Sequence, residues 1–360
     1  MSALDYPIID SDGHAVESNA LFDIYLDKEF RHVAPRMVPD PGGANRMFFE
    51  GRYWPPFPEG EGSSQFHEEV PEHRIEALDA LGIQAQVLFP SRATIFPIAP
   101  HARLAEALCR CYNDWLGDFC GHNPQRLFGI GIVSLRNVDG AVREAQRCIT
   151  QLGMKGIVIR PNPVCGRNLD NLDYDDFYAA MSDLDVPLCV HETTGVDATA
   201  GGERYDIRRH DRYAFNHMIS HPFEQMIASM SLLAGGVLDR FPKLRVGFFE
   251  AGIGWLPYWL GRLDEHYEHK VLGKQWSLLT MKPSDYFRRQ CAITFDPDEA
   301  TAPFAIQFVG SERVLFASDF PHFDASADAV RELFEGGALD DAAKRRILCD
   351  NPRGFYKLTV

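Results

Sequence analysis

The tightest constraint on what this chain can fold into is a repeated alternation of short apolar runs with longer stretches of helical spacing. Eight runs read as strands, at 7–12, 83–90, 128–135, 155–161, 187–192, 245–251, 291–296 and 313–319. Each is rich in Val, Ile and Phe and lacks the clean alternation of a strand with one wet face. Such strands are covered on both faces, as in a parallel sheet. Between and after them, 104–120, 138–152, 174–184, 222–241, 255–267, 300–309 and 327–333 carry helical patterns, with Asn137 placed as an N-cap. Eight strands each followed by a helix is the count of a (β/α)8 TIM barrel, an α/β fold. A chain of 360 residues could make two domains, but one barrel over 1–360 fits the length as well.

Two stretches interrupt the alternation. Residues 28–62 contain PDPGGANRMFF, GRYWPPFP and EGEG, and read as an excursion after strand one with a small hairpin, too short and too rich in Pro and Gly for a core of its own. Residues 195–210, after strand five, read as an active-site loop or lid. The tail from Ala338 is expected to be helical and to pack on the barrel exterior.

Composition removes several functions. Lys and Arg number 36 against 51 Asp and Glu, a net charge of −15, whereas nucleic acid and anionic membranes select basic surfaces. No run of about 20 apolar residues is present to span a bilayer. The start, MSALDYPIIDSDGH, lacks the basic and apolar regions of a signal peptide. The eight cysteines are scattered with no CxxC pair, which suits free thiols in a cytoplasmic protein. No Gly-rich phosphate loop is found, so no nucleotide cofactor is expected. The expected partner is a small molecule, with self-association or pairing with a homologous barrel left open.

Active sites of such barrels sit at the C-terminal strand ends. Strand one ends in Asp10-Ser11-Asp12-Gly13-His14, with Glu17 three residues on. Asp12 and His14 alternate to one side and suit a divalent metal, although a capping Asp and an exposed His would read the same way. Strand five ends in His191-Glu192, of which one should face the barrel. Strand six ends in Glu250, which needs a cation or donors and could simply pair with Arg262. Strand eight ends in Asp319, a possible N-cap, with His322 just behind the ligands or at the rim. His217 and His221 would share a helix face, but Pro222 suits a first helical residue, which leaves His221 in a loop at the barrel mouth and His217 structural or part of a lid. Carboxylates and imidazoles at the ends of strands one, five, six and eight together point to a metal site.

Over nearly its whole length the chain resembles the amidohydrolase superfamily, in the branch of aminocarboxymuconate-semialdehyde and resorcylate decarboxylases. The resemblance runs from IIDSDGH through MKGIVIRPNP and FPKLRVGFFEAGIGWLPYWLGRLD to VLFASDFPH. It implies a barrel holding zinc or manganese, with ligands at Asp12, His14, His191 and Asp319. Two positions depart from the pattern: Asp12 replaces a usual His or Glu, and Glu250 stands where the decarboxylases carry a catalytic His.

The expected activity is metal-dependent hydrolysis or non-oxidative decarboxylation of a small organic acid or cyclic carbonyl compound. Asp319 would orient water, and His221 or Glu250 would act as acid or base. Arg160, in IRPNP, could receive a substrate carboxylate or form a structural pair. The carboxylates Asp12, Glu17, Glu250 and Asp319 exceed what one ion needs. Either some lie outside its coordination, or a second ion is held, with Glu17 and Glu250 as ligands and iron or iron/manganese as the metal. The latter resembles the amidohydrolase-related dinuclear oxygenases. A non-catalytic partner subunit is the third reading. Trp54, Phe89, Phe96 and Trp255 could line a pocket or belong to the core.

Overall fold

In the computed structural model, residues 5–54, 70–192, 213–276, 279–322, 325, 328–335 and 339–360 are described. The strands are β1 (Ile9–Ala15), β2 (Arg36–Pro39), β3 (Asn45–Phe49), β4 (Arg52–Tyr53), β5 (Ala85–Pro90), β6 (Leu127–Gly129), β7 (Gly131–Ile132), β8 (Ile157–Ile159), β9 (Leu188–His191), β10 (Val246–Phe249), β11 (Cys291–Phe295) and β12 (Val314–Phe316). All eight apolar runs contain a strand, and every pairing among them is parallel. The order is β1-β5-β6 and then β7-β8-β9-β10-β11-β12.

The third stave is split between β6 and β7. Ile130 N donates to Leu88 O at 3.0 Å, and Gly131 N turns to Gly156 O at 3.0 Å. Glycine is needed here because helices press on the strand: a Cβ on Gly131 would lie 2.8 Å from Cys148 Sγ. Asn113 takes up the backbone of β7, donating to Ile132 O at 3.0 Å and accepting from Ile132 N at 2.8 Å. The ring closes between the first and last staves through Asp319 N to Asp12 O, 3.0 Å, and His14 N to Phe320 O, 2.8 Å. This is the TIM barrel that the alternation predicts.

The strands are buried on both faces, as their composition requires. Every residue of β10 is buried, and Phe248 and Phe249 are fully so. Each such side chain contributes about 1.5–3 kcal/mol relative to exposure. The helix Ala102–Gly121 turns Leu104, Leu108, Tyr112, Leu116 and Phe119 inward, at the spacing of one helical face.

Three expectations need correction. The first strand runs on to Ala15, because the polar residues after Ile9 are buried with partners from other elements. The excursion forms a three-stranded antiparallel sheet, β2-β3-β4, with Met47, Phe49 and Trp54 buried in the same cluster as the barrel. Its remainder, 55–62, lies outside the described residues, as does the loop at 195–210.

The third correction concerns the helix expected from Pro222. It spans Tyr213–Leu233, with Pro222 inside. Proline removes one helical hydrogen bond, and the carbonyl that loses its donor belongs to Met218, whose side is 65% exposed to solvent. The helix ends before Gly236, at φ 81, and Val237–Arg240 is a separate turn.

The tail is helical over Asp341–Arg345 and Asn351–Tyr356, and Tyr356 donates to Ser11 O of β1 at 2.9 Å. No described helix is long and apolar enough to cross a membrane. None of the eight cysteines is in a disulfide, and Cys165 is the exposed one.

Candidate metal centre

The site begins at an irregularity in β1. Asp10 pairs with Gln86 and Gly13 with Leu88, so β1 carries one extra residue there. With that bulge, Asp12 and His14 both face the barrel mouth, Asp12 Oδ1 lying 3.8 Å from His14 Nε2. His14 Nδ1 is 3.0 Å from the carbonyl of Pro90. A carbonyl only accepts, so Nδ1 carries the hydrogen and Nε2 presents its lone pair. His191 is oriented likewise, with Nδ1 2.8 Å from Glu192 O. Of His191 and Glu192, His191 is therefore the one that faces the centre.

Strands β10 and β12 deliver carboxylates through an unusual backbone. Glu250 and Asp319 follow their strands with φ of 50° and 55°, a left-handed conformation that costs a non-glycine residue about 1 kcal/mol or more. Glu250 N donates to Thr294 Oγ1 at 3.3 Å, and Glu299 holds the turn after it by accepting from Ile253 N and Gly254 N. Asp319 Oδ1 lies 3.0 Å from His14 Nε2, and Glu250 Oε2 lies 3.0 Å from His191 Nε2.

Four buried atoms at this mouth have no hydrogen-bond partner: Asp12 Oδ1, His14 Nε2, His191 Nε2 and Asp319 Oδ1. All four are acceptors in the tautomers fixed above. Buried acceptors facing one another are costly unless a cation or a proton stands among them. Asp12, His14 and His191 ligand atoms lie within 4.8 Å of one another, as do those of His14, Glu250, Asp319 and His322. Two imidazoles and two carboxylates suit a divalent ion such as manganese or zinc, so the residues present fit the metal.

The electrostatics agree. Burial raises the Asp319 carboxyl, but His322 and His14 together outweigh it and hold the pKa at about 2. Burial pulls His191 down, and the Asp12 and Glu250 carboxylates more than reverse it. The carboxylates thus call for positive charge at this spot.

His221 and Glu250 form a second unit beside the ligands. His221 lies inside the helix Tyr213–Leu233, not in a loop, and its Nε2 is 3.3 Å from Glu250 Oε1. Its Nδ1 is 3.1 Å from His217 O, and the two rings stand 4.3 Å apart on one helix face. Gln225, one turn on, donates to Val190 O at 2.8 Å and Phe249 O at 3.0 Å, pinning this helix to the ends of β9 and β10. Burial lowers His221, but Glu250 outweighs it and raises its pKa. Arg262 pairs with Glu265, so the partners of Glu250 are imidazoles.

Two expected site residues are engaged by other groups. Glu17 is not among the clustered carboxylates. Its two oxygens accept from Ser91 N at 3.2 Å, Arg92 N at 2.8 Å and Ala93 N at 3.1 Å, at the start of a short helical segment. Those amides satisfy the charge that a second metal would otherwise have to answer. Arg160 is buried, donating to Asn162 Oδ1 and, at 3.1 Å, to Glu192 Oε1. Asn162 bridges on to Glu224 at 3.0 Å.

His322 stands closer than a rim residue, stacked on His14 at 3.8 Å with Nδ1 2.9 Å from Asp319. Phe89 stacks against His191 at 5.2 Å, and Phe96 and Trp54 are buried in the core. Trp255 is half-buried and donates to Gly252 O. Asp10, Arg74, Gln86, Ser318 and Gln225 were not marked by spacing. A polar residue inside an apolar run, as Gln86 is in QVLFP, was the available signal.

The model of the amidohydrolase family matches residues 9–358. The chain belongs to the amidohydrolase family. Gamma-resorcylate decarboxylase from Polaromonas sp. (strain JS666) is 26% identical over 305 residues, which cover 81% of this chain and 88% of that protein. Among solved structures, an amidohydrolase from Mycobacterium avium subsp. paratuberculosis K-10 superposes with a TM-score of 0.82 at 21% identity, over 98% of this chain and 100% of that one. The 5-carboxyvanillate decarboxylase from Novosphingobium aromaticivorans, solved with manganese and 4-hydroxy-3-methoxy-5-nitrobenzoic acid, gives 0.73 at 23% identity, over 98% and 97%. These likenesses show the amidohydrolase barrel. The alternative of a dinuclear oxygenase gains no support from them.

Proposed function

We propose that this amidohydrolase is a metal-dependent, non-oxidative decarboxylase of a small aromatic or unsaturated acid. The observation that carries the reading is the placement of the His221–Glu250 pair against a cluster of buried acceptors that calls for a cation.

Asp12, His14, His191 and Asp319 would hold the ion. When bound, the ion supplies charge that binds and polarises substrate oxygen atoms. Loss of CO2 breaks a carbon–carbon bond and leaves its electron pair on the substrate carbon, which must take a proton. His221 Nε2, 3.3 Å from Glu250 Oε1, would give it. Glu250 keeps the imidazole protonated by its charge, and His217 O holds the ring through Nδ1. The curated relative named above acts as a decarboxylase by its name, which favours this reading over hydrolysis.

The test is release of CO2 from a panel of hydroxybenzoates and carboxylated dienoic acids by the Mn2+-loaded protein. In D2O the product should carry one deuterium at the carbon that lost the carboxyl group. Absence of CO2 release with turnover of a lactone or amide panel would replace decarboxylation by hydrolysis.

A further inference from the structure

Two of the proposed ligands lie near the start of the chain and one lies more than 300 residues later. Asp12 and His14 sit on β1, and Asp319 follows β12. The distance between His14 Nε2 and Asp319 Oδ1 therefore depends on how the barrel closes. A buried arginine sits in that closure. Arg74, on the helix Pro71–Leu81, is 0% exposed. Its Nη2 donates to His14 O at 2.7 Å, and its Nη1 donates to Phe320 O at 3.3 Å. One rigid guanidinium thus spans the carbonyl of one ligand and that of the residue next to another. Its carbon also lies 5.1 Å from the Phe320 ring centroid.

The grip extends through a directed relay. Arg74 Nη1 donates to Gln86 Oε1 at 3.2 Å, which fixes the amide, so Gln86 Nε2 donates to Asp10 Oδ2 at 2.7 Å. Asp10 also accepts from Ser318 Oγ at 2.6 Å and Ser318 N at 2.9 Å, beside Asp319. A Cβ on Gly13 would lie 2.0 Å from Gln86 Nε2, so glycine between the two β1 ligands leaves room for the relay. Burying a guanidinium carries a desolvation penalty. The fold accepts that cost where the segments bearing His14 and Asp319 meet.

We infer that Arg74 is a positioning residue of the metal centre, setting the separation of His14 and Asp319 through Phe320 and Gln86. The inference rests on the metal-binding reading above. Its test compares Mn2+ affinity by calorimetry and the electron paramagnetic resonance spectrum of bound Mn2+ in the parent, Arg74→Met, Arg74→Lys and Asn113→Ala. Asn113 is a buried hydrogen-bonding residue at the third stave, away from this closure.

Arg74→Met should bind Mn2+ roughly 10- to 100-fold more weakly with an altered spectrum, as loss of a group orienting metal ligands does. Arg74→Lys should recover part of the affinity. Asn113→Ala should lose thermal stability and keep the parent affinity and spectrum. Gln86→Leu, which cuts the relay without removing a charge, takes the place of Arg74→Met if that variant does not fold, and should weaken binding in the same direction. Parent-like affinity and spectrum in the Arg74 or Gln86 variants would overturn the inference alone, as would equal weakening in Asn113→Ala. A parent that binds no Mn2+ would overturn the metal reading and this inference together.

Discussion

His14 Nε2 and Asp319 Oδ1 lie 3.0 Å apart in the buried mouth of the barrel, and neither has a hydrogen-bond partner. The ring hydrogen of His14 is committed to Pro90 O, so the two atoms face each other as acceptors. That contact is unfavourable by itself and favourable around a cation. The same holds for His191 Nε2, 3.5 Å from Asp12 Oδ1. These contacts, which a bound cation or a shared proton would relieve, are the electrostatic ground for the proposed metal centre.

His221→Asn should lower decarboxylation about 10²- to 10⁴-fold, the usual contribution of a general acid, and leave the metal content unchanged. Glu250→Gln should move the alkaline limb of the pH–rate profile to lower pH. The carboxylate raises the His221 pKa, and activity needs the protonated ring, so losing the charge makes the proton leave earlier. Steady-state rates from pH 5 to 9 check the sign. An unmoved limb would remove His221 as the acid.

Glu17→Gln should cost roughly 1–3 kcal/mol of stability, because three backbone amides lose a charged acceptor. Metal content should not change. Urea denaturation and metal analysis on one preparation separate this from a ligand role, in which metal would be lost.

Arg160→Met should destabilise the protein by about 3–5 kcal/mol, since Glu192 would keep a buried charge after losing its guanidinium. A variant as stable as the parent but with a raised KM would instead make Arg160 a receiver of the substrate carboxylate.

Burial, reinforced by the neighbouring His221, lowers His217 from 6.5 to about 4. The unfolded chain then binds a proton that the folded protein refuses. Stability from this group is full above pH 6.5 and is lost as pH falls toward 4, by roughly 2 kcal/mol for a partly exposed ring. Urea midpoints at pH 7 and pH 5 should converge in His217→Gln relative to the parent. Equal loss in both proteins would contradict the assignment.

The barrel was legible in the sequence because strands buried on both faces must be apolar throughout, and 245–251 or 313–319 can scarcely be anything else. The strand ends could be read for Asp12, His14, His191, Glu250 and Asp319 because the fold gathers those ends at one mouth. Residues whose partners come from far along the chain escaped. Glu17 stands close to His14 in sequence, but its carboxylate is met by amides 74 to 76 residues away. Asp10 and Gln86 look like interruptions of apolar runs until the barrel closes and Ser318 and Arg74 reach them. At His221 a local rule misled. Proline is a good first helical residue, yet this helix carries Pro222 in its interior and presents His217, His221 and Gln225 on one side.

Metal content of the parent, Asp12→Ala, His14→Ala, His191→Ala and Asp319→Ala, measured by inductively coupled plasma mass spectrometry after Mn2+ supplementation and gel filtration, tests the central claim most directly. The account predicts about one ion per parent chain and little or none in folded ligand variants. A parent without metal, or ligand variants that keep a full complement, would contradict it.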